Sequence, residues 1–220
     1  MPINKSEKIL GIDESGKGDF FGPLVIAGVV ANNEECIRIE AEGIRDSKKI
    51  SDNVILKLSD WIKKNFVHSI VIVGPEKYNE LYSKIRNLNK LLAWGHSRVI
   101  ENIASENQID LAISDKFGKD ELIRNALMKN GKEVKLNQMV RGEAMIPVAA
   151  ASIVARAAFV QQMKKMSDLY QIEFLKGASA KVDETAYKFA VQYGKEALEK
   201  VAKLHFKNYQ KALSGNFSLF

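Results

Sequence analysis

The stretch from Lys8 to Asp19 sets the frame for the whole chain. An apolar run, Lys8 to Asp13, ends in acids and passes straight into Glu14-Ser15-Gly16-Lys17-Gly18-Asp19. That order reads as a buried strand entering a tight loop. A second β-rich run, Leu24 to Ala31, follows a short connection containing Gly and Pro, so the two strands are expected to pair antiparallel. Asn32-Asn33 is a turn signal, and Cys36-Ile37-Arg38-Ile39 reads as a short third strand.

Further along, helical and extended periodicities alternate. Ser51 is placed to cap a helix through Asn65, with Val54, Ile55, Leu58, Trp61 and Ile62 at helical spacing. Val67 to Val73 is an apolar strand closed by Gly74-Pro75. Asn89 to Asn107 reads as a long helix, and Ile109 to Ser114 as a buried strand ending at Asp115. A helix from Asp120 to Lys129 is expected to end at Gly131, before a short strand from Glu133 to Leu136. Ala144 to Met166 is a helix rich in small residues, and Asp183 opens a capping-type sequence before helices through Leu204. Strands giving way to alternating helices and strands imply a mixed sheet in one α/β domain over residues 1–220, with a helical C-terminal portion from about residue 144.

The acids carry the chemistry. An isolated Asp-Glu pair is most often a solvated strand end. Asp13 and Glu14, however, close an apolar strand, where a carboxylate is costly unless something cationic meets it. Neighbouring strand residues face opposite sides, so both reach one site only where the strand ends or bulges. Asp115 repeats the pattern at the end of another strand, and functional groups gather at the carboxyl ends of adjacent parallel strands. Glu143 precedes the small-residue helix; an acid there also suits the helix dipole. Four converging carboxylates would bind two Mg²⁺ or Mn²⁺ ions through oxygen, the arrangement used for in-line phosphodiester displacement.

Composition narrows the alternatives. The single cysteine, Cys36, cannot form an internal disulfide, and His68, His96 and His205 show no metal-ligand spacing. Any bound metal is therefore expected to be a hard cation held by carboxylates. Lys+Arg of 33 against Asp+Glu of 27 gives a net charge of +6, which suits a polyanionic partner. Neither a signal peptide nor an apolar stretch long enough to span a membrane is read, so a cytoplasmic protein is expected.

Taken together, Gly11-Ile-Asp13-Glu14-Ser-Gly16-Lys17-Gly18-Asp19-Phe-Phe-Gly22-Pro23, Asp46-Ser47-Lys48-Lys49, the strand ending at Asp115, and Gly142-Glu143 before Val148-Ala-Ala-Ala-Ser152-Ile-Val-Ala-Arg156 resemble the prokaryotic type-2 ribonuclease H superfamily. Leu175-Lys176-Gly177-Ala178-Ser179 and Lys203-Leu-His205-Phe206-Lys207-Asn208 are similar to elements of ribonuclease HIII in particular. Glu at 143, Lys at 17 and the Asp19-Phe20-Phe21-Gly22-Pro23 extension also resemble HIII rather than HII.

The resemblance implies a ribonuclease H-like fold: a mixed five-stranded sheet flanked by helices, with a helical C-terminal portion. It implies an endonuclease, using two Mg²⁺ or Mn²⁺ ions, that cuts the RNA strand of RNA/DNA hybrids to leave 3′-hydroxyl and 5′-phosphate ends; a monomer is expected. The family's acidic quartet maps onto Asp13, Glu14, Asp115 and Glu143. Asp13 is expected to share both metals, Glu14 and Asp115 to complete their coordination, and Glu143 to hold the ion near the attacking water. The backbone of Gly16, Lys17 and Gly18 is expected to meet the ribose 2′-hydroxyl. Ser47, Lys48, Lys176, His205 and Lys207 are candidate substrate contacts. The matched sequence begins within about ten residues of Met1, so the N-terminal substrate-binding domain typical of ribonuclease HIII is expected to be lacking, with weaker substrate affinity. Two other readings stay open: incision at single ribonucleotides in duplex DNA, as in ribonuclease HII, and a non-catalytic nucleic-acid-binding module.

Overall fold

The computed structural model describes residues 7–44 and 50–215. Its five strands are β1 (Ile9–Ser15), β2 (Leu24–Ala31), β3 (His68–Val73), β4 (Leu111–Asp115) and β5 (Lys135–Met139), in the sheet order β3-β2-β1-β4-β5. The sheet is mixed. β4 runs parallel to β1, with Ile9 opposite Leu111 and Ile12 opposite Ser114, and β5 runs parallel to β4. β1 and β2 are interior strands, and all eight residues of β2 are buried. Strands covered on both faces carry near-continuous apolar sequence rather than alternation.

The described chain forms two compact units. The first takes the described parts of Met1–Glu14, Val25–Val71 and Asn87–Ala157; the second takes those of Ser15–Leu24, Ile72–Arg86 and Ala158–Phe220.

In the first unit, α1 (Asn33–Ala41) occupies the place of the expected third strand. Asn32 and Glu35 form a reciprocal capping box: the Asn32 side chain accepts from the Glu35 N–H at 2.9 Å, and the Glu35 carboxylate accepts from the Asn32 N–H at 2.8 Å. That pair satisfies two N-terminal amides at once. It outweighs the weak strand signal of Cys36-Ile37-Arg38-Ile39, where Cys36 and Ile39 are buried at helical spacing. The next helix, α2 (Asp52–Asn65), begins after Ser51, whose side chain makes no capping bond. α4 (Leu88–Ala104) is capped by Asn87, which accepts from the Lys90 N–H.

α5 (Asp120–Ala126) is shorter than expected, and Gly131 opens a 3₁₀ turn rather than ending the helix. The buried Glu101 carboxylate explains the change. It accepts from the N–H groups of Met128 (2.5 Å), Gly131 (2.9 Å) and Asn130 (3.0 Å), which bends the chain before β5.

α6 (Ile146–Tyr170) crosses from the first unit into the second. By length and composition it is apolar enough to span a membrane, which corrects the expectation that no such stretch exists; 67% of that window is buried. Its first turns pack on β1, where a Cβ on Gly11 would lie 2.1 Å from the Pro147 carbonyl carbon and 2.2 Å from the Val148 nitrogen. Only glycine allows that approach. Ile9, Ile113 and Val148 form the core beside it.

The second unit contains α3 (Pro75–Ile85), which the sequence reading left unassigned and which starts with Pro at its first turn. It also holds α7 (Ala180–Tyr193), α8 (Lys195–Val201) and α9 (Lys207–Ser214). Asp183 does not act as a cap. It is buried in the first turn of α7, where it accepts from the Asn208 side chain at 2.5 Å and Lys211 at 2.7 Å, tying α7 to α9.

Candidate active site

Packing fixes the direction of each acid. Gly11 and Asp13 share one face of β1, two residues apart, and Val148 and Ser152 share one face of α6, four residues apart. The Gly11–Val148 contact therefore brings the Ser152 hydroxyl to Asp13, to which it is hydrogen-bonded. Glu14 faces the other side of the sheet, where its Oε2 lies 3.3 Å from Nε2 of His96 on α4. His96 is wholly buried, rests on the Phe117 ring at 4.7 Å, and has an Nδ1 without a partner among the described residues. The alternation that argued against convergence is thus present: Asp13 meets Ser152 of α6, and Glu14 meets His96 of α4.

Asp13 is the acid whose ionisation is opposed. Burial first, and the Glu14 charge second, push its carboxyl from 3.8 to about 6. The Ser152 hydroxyl, the Glu14 N–H at 2.8 Å and His96 pull in the opposite direction without cancelling the rise. A carboxylate so placed favours a cationic partner.

Asp115 closes β4. The paired register runs to Ile12 opposite Ser114, so Asp13 and Asp115 are the next residues on adjacent parallel strands. The Asp115 Oδ1 accepts from the Gly142 N–H at 3.0 Å. Gly142 begins the 3₁₀ turn Gly142–Ala144, entered through Arg141 at φ 59°, and that bond draws the backbone of Glu143 to the end of β4. The Glu143 side chain lies outside the described residues, and among those described no three His, Cys, Asp or Glu side chains form a ready-made metal cluster. β1, β4 and the turn before α6 therefore supply the acids, all from the first unit.

The substrate-contact candidates are distributed differently. Ser47 and Lys48 lie outside the described residues. Gly16, Lys17, Gly18, Lys176, His205 and Lys207 all belong to the second unit, and Lys17, Lys176, His205 and Lys207 are exposed. Gly16 has φ +88°, and a Cβ there would lie 2.2 Å from the Pro23 carbonyl oxygen, so only glycine fits. Gly18 has no positive φ and open space around it, so it does not share that requirement. His205 stacks on Tyr82 at 4.3 Å, and burial, then the Lys203 charge, lower its proton affinity.

Sequence reasoning did not single out Ser152, His96, Lys203 or Asp19 as individual residues of interest. Only Ser152 had a usable signal, a hydroxyl within a run of Ala, Val and Ile.

Comparison with known proteins settles the family. The description "Ribonuclease HII" belongs to a family model that matches residues 10–209. The chain belongs to the ribonuclease HII family. Ribonuclease HIII of Chlamydia pneumoniae is 46% identical over 94% of this chain and 70% of its own length. Ribonuclease HIII of Chlamydia felis is 44% identical over 92% of this chain and 68% of its own. The crystal structure of Bst-RNase HIII in complex with Mn²⁺ superposes with a TM-score of 0.88 at 30% identity, covering 95% of this chain and 70% of that one. The family member described here is accordingly a ribonuclease H enzyme with a ribonuclease H-like fold.

Proposed function

We propose that this enzyme cleaves the RNA strand of RNA/DNA hybrids, leaving 3′-hydroxyl and 5′-phosphate ends, with two Mg²⁺ or Mn²⁺ ions held by Asp13, Glu14, Asp115 and Glu143. The observation that carries the proposal is the parallel register of β1 and β4, which sets Asp13 beside Asp115 while Asp115 anchors the turn bearing Glu143. The donors are hard carboxylate oxygens, and a cation beside the Asp13 carboxyl, raised to about 6 by burial and a like charge, would offset the cost of its ionisation. A pair of such ions would supply an activated water and stabilise charge on the leaving 3′-oxygen. The protein's own part is positional. Ser152 orients Asp13, His96 orients Glu14, and the Gly142 N–H orients Asp115.

The loop Gly16-Lys17-Gly18, next in the chain after Glu14 and Ser15, would meet the ribose 2′-hydroxyl through its backbone. Lys176, His205 and Lys207, with Ser47 and Lys48, would contact phosphates, which position a duplex without reading sequence. The name of the matching family model favours one rival, incision at a single ribonucleotide in duplex DNA. The test is cleavage of labelled RNA/DNA hybrid and of a one-ribonucleotide duplex, each with Mg²⁺, Mn²⁺ or EDTA. Metal-dependent cutting throughout the hybrid is expected; cutting confined to the one-ribonucleotide duplex would establish the rival.

A further inference from the structure

The second unit encloses a lysine whose side chain is fully out of water. Lys203 is 0% exposed. Its Nζ donates to the carbonyl oxygens of Gly22 at 2.7 Å and Asp19 at 2.8 Å, with that of Phe21 at 3.5 Å. An ammonium has three N–H donors and no acceptor, so three carbonyls from one short stretch satisfy it. The Tyr78 ring lies 5.6 Å away on another side. An apolar side chain would fill this space without desolvating a charge. What the lysine adds is direction: it fixes where three backbone carbonyls point.

Residues 19–22 are tied down by four more hydrogen bonds. Asp19 Oδ1 accepts from the Gly177 N–H at 2.6 Å, and the Phe20 N–H donates to the Gly177 carbonyl at 2.9 Å. The Lys203 N–H donates to the Phe20 carbonyl, and the Gly22 N–H to that of Val201, both at 2.9 Å. Residues 19–22 therefore join three segments. One follows Gly16-Lys17-Gly18, one follows Lys176, and one precedes His205 and Lys207. These segments hold every candidate substrate contact found among the described residues.

We infer that Lys203 and Asp19 are positioning residues that hold the Gly16–Gly18 loop, Lys176 and the His205–Lys207 stretch in one register, so that a hybrid meets them as a single preformed face. The inference rests on the reading that these segments bind the hybrid. Contacts ordered in advance leave less entropy to be lost on binding. Loosening them weakens substrate binding while leaving the acids on β1 and β4 untouched.

Steady-state cleavage of a labelled hybrid at saturating Mg²⁺ tests this, with the folded fraction of each variant counted by thermal melting. Wild type is compared with Lys203→Met, Asp19→Ala and Asp19→Asn. Lys203→Met and Asp19→Ala are expected to raise KM by about tenfold, with kcat per folded molecule nearly unchanged. Asp19→Asn is expected to stay near wild type, because its amide oxygen still accepts from Gly177. A merely structural role would lower the folded fraction and leave the KM of the folded molecules alone, and that result would overturn the inference. Should Lys203→Met fail to fold, the Asp19 pair decides: equal KM in Asp19→Ala and wild type refutes the positioning role. A wild-type protein that does not cut the hybrid defeats the functional reading instead, so the two failures are distinct.

Discussion

At Asp13, burial and a like charge both oppose ionisation, and this has consequences away from catalysis. Its folded-state value of about 6 lies above the ordinary 3.8, so the folded protein holds the proton more tightly than the unfolded chain. The stability this group contributes is full below about pH 4 and is lost as pH rises through about 6. The loss is on the order of 3 kcal/mol at most. Asp13→Asn should therefore raise the Tm of the metal-free protein at pH 7.5 and leave it unchanged near pH 4. Mg²⁺ should stabilise the wild type at pH 7.5, by binding the folded state alone, and stabilise Asp13→Asn much less. Differential scanning calorimetry with and without EDTA measures both effects; a metal-free Asp13→Asn that melts lower at pH 7.5 would contradict the assignment.

Ser152 acts on the same carboxyl in the opposite direction, since its hydrogen bond favours the ionised form. Ser152→Ala should shift the acid limb of the pH–rate profile upward and raise the Mg²⁺ concentration needed for half-maximal cleavage. An unmoved acid limb would show that the hydroxyl does not tune Asp13.

Among the elements, strands were easier to read than the joints between them. β1, β2 and β4 stand out because buried strands are almost wholly apolar and end abruptly in acids or turns, which also made Asp13, Glu14 and Asp115 legible. α1 was misread as a strand because Cys36-Ile37-Arg38-Ile39 alternates locally, whereas the Asn32–Glu35 capping box lies just upstream. Removing that cap with Asn32→Ala should cost about 1 kcal/mol in urea unfolding. The three-amide cradle of Glu101, the buried Asp183 and the buried Lys203 were illegible for a different reason. Charged side chains are seldom fully buried, and their partners lie distant in sequence.

The glycine loop shows the same division. Two glycines flanking a lysine read alike in sequence, yet only Gly16 has a positive φ and a crowded Cβ position. Gly16→Val should nearly abolish folded, active enzyme, while Gly18→Val should retain its fold and lose hybrid cleavage, because its side chain blocks the approach of the ribose to the loop backbone. Circular dichroism and hybrid cleavage separate the two effects; a folded Gly18→Val with full cleavage would contradict backbone contact at Gly18.

For the molecule as a whole, a net charge of +6 and exposed lysines at 17, 176 and 207 should make the proposed hybrid binding salt-dependent. The logarithm of the affinity should fall against log salt with a slope of about −0.7 to −0.9 per phosphate neutralised. Lys176→Ala or Lys207→Ala should each reduce that slope by about one. The central claim concerns the carboxylates, and a single cleavage measurement addresses it most directly: turnover of a labelled RNA/DNA hybrid by wild type and Asp13→Asn across a Mg²⁺ and Mn²⁺ titration, with EDTA as the baseline. The account predicts metal-dependent cutting of the RNA strand by wild type, and near-complete loss in an Asp13→Asn protein that remains folded and still binds hybrid. Cutting that persists in EDTA, or an Asp13→Asn variant with near-normal turnover at saturating metal, would contradict it.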